Sequence, residues 1–195
     1  MIHTLNLTYN IFDGIEYYKK LQNNFKQLHW HYTKDHCDPR GIGTKNHMDN
    51  VHGWGLQTVY SDITFPYHCD IDPHDEGPEY FKDTDLVFGF FKEIKDKFVN
   101  PYRSFLMTFP AQHNIGRWLP GGPPHGKVFI PIITNRQATI TDLTNSQTVV
   151  LKEGNVYMFD MTTNYGEFKN EGDTAITFIT FNVPADTFPH VLSTV

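Results

Sequence analysis

The amino-acid sequence predicts a mostly β domain with an α-helical preface. Three observations support this fold class: short β segments separated by turn residues after residue 100, two amphipathic helices before them, and a composition typical of a globular core. The 195 residues suffice for one domain with a sizeable core. The charged fraction is only 19%, and an aromatic fraction of 15% argues against disorder.

The charge and the hydropathy of the chain restrict its partners. The formal net charge is −6, and the sequence has no basic stripe of the kind that binds nucleic acid. No segment approaches the roughly 18 consecutive apolar residues that a membrane-spanning helix needs. Cys37 and Cys69 are interpreted as free thiols in a reducing compartment. We therefore expect a cytoplasmic protein with neither a nucleic-acid nor a membrane partner, and nothing in the pattern specifies an oligomeric state.

Two amphipathic helices are predicted in the first hundred residues. The first spans residues 13–28, where Asp13 and Glu16 have the spacing of a capping box. The second spans residues 84–98 and ends before Pro101, which cannot continue a helix. Apolar residues recur every three or four positions in both, at Ile15, Tyr18, Leu21, Phe25, Leu28, Val87, Phe91, Ile94 and Phe98. We expect these apolar faces to pack on the outside of a sheet.

The chain after residue 100 has the alternation and the turns of a β structure. Predicted strands cover residues 102–109, 127–134, 137–143, 147–151, 155–160 and 175–183, with a weaker strand at 56–60. Strands this short and evenly spaced are typical of a sandwich or a barrel-like roll. We therefore predict a single domain over residues 1–195, with a helical and irregular region over 1–100 and the core of the roll over 101–185.

Four segments in this half share motifs with a known family. Residues 127–135 read K-V-F-I-P-I-I-T-N, similar to an R-x-H-I-P-L-x-T-N strand, and residues 151–160 are similar to an L-x-x-G-x-x-x-x-F-[DN] strand. Residues 170–173 match an N-x-G-D turn, and residues 109–116 are similar to a P-A-G-x-x-I segment. In order and spacing, over about residues 84–183, the chain resembles the aspartyl/asparaginyl β-hydroxylase-like members of the 2-oxoglutarate/Fe(II) oxygenase superfamily.

The resemblance implies a double-stranded β-helix of the jelly-roll or cupin-like type, with helices packed outside one sheet. It also implies C–H hydroxylation with Fe(II), 2-oxoglutarate and O₂, where two His and one carboxylate hold the metal. The matching positions carry other residues: the sequence at 117–120 is R-W-L-P instead of H-x-D, Gly166 replaces the distal His, and Ala175 replaces the co-substrate Arg. Phe129 replaces the His of R-x-H, and Lys127 keeps the charge of its counterpart. No metal ligand is therefore assigned, and Fe(II) and 2-oxoglutarate are expected only if the family chemistry survives.

Arg117 stands near the position where the resemblance places the metal. A guanidinium there would repel a divalent cation and attract a carboxylate or a phosphate. His125 and Lys127 lie close to it in sequence. We therefore predict a pocket for a small anion, with the candidate residues His113, Arg117, His125, Lys127, Tyr165, Glu167 and Asn170.

Three other sets of possible ligands stay open. His68-Cys69-Asp70 is itself an H-x-D sequence, but it precedes the second helix, and a solvated acidic loop is the simpler interpretation. The histidines between residues 29 and 74 could form a zinc site, although no C-x-x-C or H-x-x-x-H spacing supports one. A rearranged metal site could combine His113 and His125 with Glu167.

Two functional hypotheses follow. In the first, the protein is a repurposed or non-catalytic member of the oxygenase-like fold that binds a small anionic ligand or a protein partner in the roll. In the second, it is an active 2-oxoglutarate- and Fe(II)-dependent hydroxylase with a rearranged metal site. The missing metal ligands favour the first hypothesis.

Overall fold

The structure is a computed structural model that describes residues 1–25, 28–29, 51–58, 77–118 and 123–193. Both cysteines, His68-Cys69-Asp70 and most of the histidine-rich segment lie outside these residues, so the interpretations of those segments stay predictions. The strands are β1 Ile2–Thr8, β2 Leu28–His29, β3 His52–Gly55, β4 Gln57–Thr58, β5 Lys82–Asp83, β6 Tyr102–Phe109, β7 His113–Trp118, β8 His125–Ile133, β9 Ala138–Asp142, β10 Gln147–Val150, β11 Asn155–Asp160, β12 Gly166–Asn170 and β13 Ile176–Pro184. The helices are α1 Ile11–Asn24, α2 Gly89–Lys95 and α3 Phe188–Ser193.

The strands from β6 to β13 form a double-stranded β-helix. A seven-stranded sheet has the order β1-β11-β8-β13-β6-β3-β2, and a four-stranded sheet has the order β10-β9-β12-β7. The chain passes repeatedly between the two sheets. Strands β6, β8, β11 and β13 lie in the first sheet, and β7, the hairpin β9-β10 and β12 lie in the second. All pairings within these two sheets are antiparallel. The predicted mostly β, cupin-like roll is therefore confirmed.

Two apolar clusters cover the two faces of the seven-stranded sheet. The inner cluster fills the space between the two sheets and includes Phe105, Phe109, Phe129, Tyr157, Phe168 and Phe178. The outer cluster lies between the seven-stranded sheet and the helices and includes Tyr17, Leu21, Ile94, Val128, Ile179 and Phe181. Because side chains alternate along a strand, neighbouring residues of β8 and β13 enter different clusters.

The helices pack outside the seven-stranded sheet, as predicted. The Tyr17 hydroxyl donates a 2.7 Å hydrogen bond to the Leu86 carbonyl, which ties α1 to the segment before α2. Gly14 allows this close packing, because a Cβ there would lie 3.1 Å from the Phe90 ring and 3.3 Å from Ile132. The outer face of the sheet is therefore covered, and the inner face is the one that a ligand would meet.

Both predicted helices begin at the wrong residue. Helix α1 starts at Ile11 because the Asn10 side chain, not Asp13, accepts the capping hydrogen bond from the Phe12 N–H at 3.1 Å. Helix α2 is shorter than predicted because Thr84 holds a turn instead of starting a helix. Its hydroxyl bonds to the Leu56 carbonyl at 3.0 Å and accepts from the Leu86 N–H at 3.3 Å. In the described ranges, no helix is both long and apolar enough to cross a bilayer.

Strand β1 pairs with β11 in a segment for which the sequence predicted no regular structure. Its free edge is met by Gln147 of β10, whose side chain accepts from the Ile2 N–H and donates to the Ile2 carbonyl, both at 2.9 Å. The Gln147 side chain thus makes the two hydrogen bonds that the backbone of a neighbouring strand would make. It joins the edges of the two sheets along one side of the roll.

Candidate ligand site in the roll

Polar side chains lie on the inner face of the seven-stranded sheet at one end of the roll. The register places Asn182 of β13 opposite Tyr102 of β6 on one side and opposite Lys127 of β8 on the other. We call these three residues the polar row. Thr180 lies two residues deeper along β13, opposite Phe129, at about 7 Å along the strand. The polar row therefore lies just beyond the apolar inner cluster, towards this end of the roll.

The side chains of Thr180 and Asn182 point into the roll. Ile179 and Phe181 belong to the outer cluster, whereas Phe178 belongs to the inner cluster. Alternation along the strand then places the residues at 178, 180 and 182 on the inner face. Thr180 and Asn182 are only 1% and 2% exposed, so neither reaches bulk solvent.

The same alternation places Lys127 on the inner face. Val128 belongs to the outer cluster and Phe129 to the inner cluster. Lys127 and His125, at the preceding alternate positions of β8, therefore point to the same side as Phe129. Gly126 points the other way, since a Cβ there would lie 3.1 Å from Met158 of the outer cluster. A cation and an imidazole thus stand on the same face as Asn182.

Two buried side-chain atoms of β13 at this end lack a hydrogen bond. Thr180 Oγ1 and Asn182 Oδ1 have no hydrogen-bond partner among the described residues. A buried polar atom without a partner costs about 1–3 kcal/mol, so native proteins rarely keep one without a reason. Two such atoms on neighbouring inward positions are candidate hydrogen-bond partners for a water molecule or a ligand.

The Tyr102 phenol stays protonated in this environment. Burial raises its pKa above the ordinary value, and the Glu79 carboxylate adds to the shift. The hydrogen bond with Asn182 and the positive charge of Arg103 act in the opposite direction without cancelling it. Tyr102 is therefore neutral near pH 7 and can donate its O–H to an acceptor.

A bulge in β6 brings Tyr102 into the polar row. Arg103 has a φ of 54°, and the pairing of β6 with β13 shifts register between Thr180 and Asn182. Without the extra residue, Asn182 would lie opposite Arg103 instead of Tyr102. A non-glycine residue in this conformation costs about 1–3 kcal/mol, and such strain is often kept at functional sites.

His125 lies next to the polar row, two residues before Lys127 at the start of β8. Its Nδ1–H donates to the Pro123 carbonyl at 2.8 Å, which leaves the lone pair of the neutral ring on Nε2. Its ring centroid lies 6.4 Å from that of Tyr102, and the Tyr102 ring lies 5.6 Å from that of Phe81. These rings surround the phenol and hold it in place.

The positions at which the resemblance implies metal ligands lie opposite each other. Gly166 of β12 pairs with Trp118 of β7 and with Asp142 of β9. Gly166 has no side chain, and residues 117 and 118 are Arg and Trp, so these positions offer none of the imidazole and carboxylate donors of an Fe(II) site. In the described part of the chain, no three His, Cys, Asp or Glu residues are grouped to hold a metal ion. The residues present here therefore do not fit the implied iron, and the Arg117 side chain lies outside what the structure describes.

His113 and Asn170 lie at the far end of the roll. They pair with each other at the start of β7 and the end of β12, about 16 Å along the strand from Trp118. The Asn170 side chain is fully buried and donates to the carbonyls of Pro110 and Thr174 at 2.8 and 2.9 Å. The structure does not bring His113 next to His125, which lies where β7 finishes and β8 begins.

Tyr165 and Glu167 flank Gly166 at the start of β12, in the four-stranded sheet. The Tyr165 N–H donates to the Thr144 hydroxyl at 2.9 Å, within a turn of the four-stranded sheet. Glu167 alternates with Phe168 of the inner cluster and therefore faces away from the roll interior. It forms a 2.9 Å ion pair with Lys169, and this hydrogen bond raises the pKa of the Lys169 ammonium. Of the predicted pocket residues with described side chains, only His125 and Lys127 lie together on the inner face at this end.

Sequence reasoning missed Tyr102, Thr180 and Asn182. The available signal was the pair of polar residues Thr180 and Asn182, at alternate positions near the end of the largely apolar segment Ile176–Pro184. Alternation in a fully buried strand places such residues on one face of the sheet. The pairing with Tyr102 and Lys127 becomes visible only once the register is known.

The comparisons with known proteins concern the fold. No family model and no curated protein matches the chain. A predicted oxalate decarboxylase of Thermotoga maritima is 17% identical over 48% of this chain and 72% of its own, with a TM-score of 0.36. The cupin domain of Schizosaccharomyces pombe Cnp3 is 17% identical over 43% of this chain and 56% of its own, with a TM-score of 0.36. A cupin domain of Bordetella pertussis is 19% identical over 43% of this chain and 81% of its own, with a TM-score of 0.34.

These likenesses are too distant to assign a function. The chain spans little more than half of the S. pombe structure. The description of the fold as a double-stranded β-helix rests on the strand order of the two sheets.

Proposed function

We propose that this protein is a non-catalytic cupin-like roll that binds a small carboxylate at the polar row. The observation that carries the proposal is the placement of Lys127 on the inner face of the roll, in one row with the neutral Tyr102 phenol and the Asn182 amide. The ligand would occupy the end of the roll near His125 and rest on the inner cluster.

The charge of Lys127 selects an anion. An ammonium group on the inner face of a largely apolar roll needs polar or charged neighbours, because desolvation of a charge is costly. Asn182 and Tyr102 supply polar neighbours in the row, and the Lys127 ammonium attracts a carboxylate. The neutral Tyr102 phenol could donate a further hydrogen bond to the same carboxylate.

Hydroxylation with Fe(II) and 2-oxoglutarate has no support from the donor set. Gly166 on β12 lies opposite Trp118 on β7, and Arg117 precedes Trp118 in the sequence. His125 contributes one oriented imidazole, but a facial site needs a second imidazole and a carboxylate beside it. A binding function requires none of these and uses the residues that the polar row contains.

Calorimetric titration of the protein, purified without a His tag, tests the proposal. The panel consists of small mono- and dicarboxylates, inorganic phosphate and sulfate, titrated into the unmodified protein, a Lys127→Met variant and a Lys169→Met control. Lys169 lies on the outer face of the four-stranded sheet and its substitution makes the same change in charge. We expect at least one carboxylate to bind, Lys127→Met to abolish binding, and Lys169→Met to leave it unchanged.

Two results would contradict the proposal. Equal binding by Lys127→Met and Lys169→Met would mean that the ligand sits elsewhere. A visible charge-transfer band on anaerobic addition of Fe(II) and 2-oxoglutarate would mean that the roll holds iron and that the hydroxylase hypothesis is correct.

A further inference from the structure

We propose that the ligand is a hydroxycarboxylate, with its carboxylate at Lys127 and its hydroxyl between Thr180 and Asn182. This inference rests on the proposed function and adds the chemical class of the ligand. It follows from the hydrogen bonds that the buried groups still need and from their arrangement.

Asn182 Oδ1 is an acceptor and needs a donor. The amide of Asn182 bonds to the Tyr102 phenol, and Oδ1 itself has no partner among the described residues. The contact with Tyr102 therefore goes through the Nδ2 group, which directs Oδ1 away from the phenol. A carboxylate has only acceptor oxygens and leaves this atom unsatisfied. A ligand that satisfies the site must carry an N–H or O–H group as well.

Thr180 Oγ1 completes the recognition of a hydroxyl group. The threonine hydroxyl can donate one hydrogen bond and accept others, so it suits a ligand group with the same double capacity. A ligand hydroxyl could donate to Asn182 Oδ1 and accept from Thr180, and both buried atoms would then be paired. Neither a plain carboxylate nor an ether oxygen achieves this.

The register sets the spacing between the two ligand groups. Asn182 and Lys127 lie directly opposite each other, so their Cβ atoms are about 5 Å apart. Thr180 is diagonal to Lys127, at about 7–8 Å. These distances suit a hydroxyl on the first or second carbon from the carboxylate. The Phe129 and Phe178 rings, with centroids 5.7 Å apart, belong to the apolar inner cluster that lies below Thr180, which favours a short carbon chain.

The position of Lys127 favours a hydroxyl over an amine as the donor. An amino acid would place its ammonium group near Thr180 and Asn182, within several ångströms of the Lys127 ammonium. Like charges at this distance repel each other. A hydroxyl supplies the same hydrogen bond without the charge.

Calorimetric titration with malate, succinate and aspartate tests the inference on the unmodified protein. The three acids share one carbon skeleton and differ at one position, which carries OH, H or NH₃⁺. We expect malate to bind about 3- to 10-fold more tightly than succinate, as one net hydrogen bond predicts, and aspartate to bind more weakly than malate. Glycolate and acetate repeat the comparison for a monocarboxylate.

Two threonine variants locate the effect. Thr180→Val keeps the shape of the side chain and removes its hydroxyl, so the ratio of malate to succinate affinity should fall towards 1 while succinate affinity stays the same. Thr141→Val, on the outer face of the four-stranded sheet, should keep the ratio of the unmodified protein.

The outcomes separate this inference from the proposed function. If succinate binds as tightly as malate and Lys127→Met abolishes both, the hydroxycarboxylate inference is wrong and carboxylate binding stands; a water molecule then pairs Asn182. If aspartate binds most tightly, the donor is an amine and the inference is again wrong. If none of the acids binds, both the inference and the proposed function fail.

Discussion

Asn135 donates a 2.9 Å hydrogen bond from its Nδ2 to Oδ1 of Asn170. The two residues belong to the T-N and N-x-G-D segments on which the resemblance to the hydroxylase-like family rests. Asn170 also accepts from the Gly172 N–H at 3.2 Å and donates to the Pro110 carbonyl at 2.8 Å. Asn135 and Asn170 hold together the far end of the roll, opposite the end that carries the polar row. Asn135 and Asn170 therefore stabilise the fold and take no part in the polar row.

Replacement of Asn170 by Ala should destabilise the fold without affecting ligand binding. The substitution removes the partner of the Pro110 carbonyl and of the buried Gly172 N–H, at a cost of about 2–3 kcal/mol in the free energy of unfolding. Chemical denaturation measures the loss. Asn6→Ala, at an exposed position of β1, should change the stability by less than about 0.5 kcal/mol. Equal stability of the two variants would show that the network is not structural.

Gly172→Ala tests the same junction by steric means. A Cβ at this position would lie 2.5 Å from the Asn135 side chain, so Asn135 would have to leave its hydrogen bonds. We expect a loss of about 1–3 kcal/mol, measured by thermal unfolding. Gly55→Ala is the control, since a Cβ there meets its nearest atom, in the Phe105 ring, at 4.0 Å. A harmless Gly172→Ala substitution would contradict the tight packing of this turn.

Asp142 should make the stability depend on acid pH. Burial alone raises the pKa of its carboxyl, but hydrogen bonds from Asn145 and the Met1 ammonium outweigh burial and lower it below the ordinary value. The group therefore contributes stability above the pKa of the unfolded chain, and this contribution is lost as pH falls below about 4 through the lower folded pKa.

The measurement is chemical denaturation at pH 7 and at pH 3. Asp142→Asn should lose stability relative to the unmodified protein at pH 7, and the difference should shrink at pH 3. The exposed Asp173 supplies the control variant Asp173→Asn, which should show little difference at either pH. A pH-independent effect of Asp142→Asn would show that the carboxylate charge has no role.

Replacement of Tyr102 by Phe should weaken ligand binding more than it destabilises the fold. The variant keeps the ring contact with Phe81 but removes the hydroxyl that bonds to Asn182 and faces the proposed carboxylate. We expect about 3- to 10-fold weaker carboxylate binding by calorimetry. Tyr80→Phe, with a side chain 54% exposed, should bind like the unmodified protein. If Tyr102→Phe binds the carboxylate with unchanged affinity, the Tyr102 hydroxyl does not contact the ligand.

Much of the fold was predictable because it depends on local patterns. The predicted strands at 102–109 and 155–160 agree with β6 and β11 to the residue, since turn residues bound both segments. Strands β1, β2, β3, β5, β7 and β12 were missed. The five-residue β12 contains Gly166 and two charged residues, so only its pairing with β7 and β9 makes it a strand.

The candidate site was less predictable because it depends on register. Tyr102, Lys127 and Asn182 are far apart in sequence, and the pairing of β6, β13 and β8 brings them into one row. The bulge at Arg103 decides that Tyr102, not its neighbour, faces Asn182. Neither the register nor the bulge has a signal in the local sequence.

The central claim is that a carboxylate ligand binds at the polar row, and NMR titration of the ¹⁵N-labelled protein with malate tests it most directly. We expect saturable shifts of the Asn182 side-chain amide and of the Thr180 backbone amide, with Asn170 at the far end unchanged. Shifts confined to other residues, or none at saturating malate, would contradict the account.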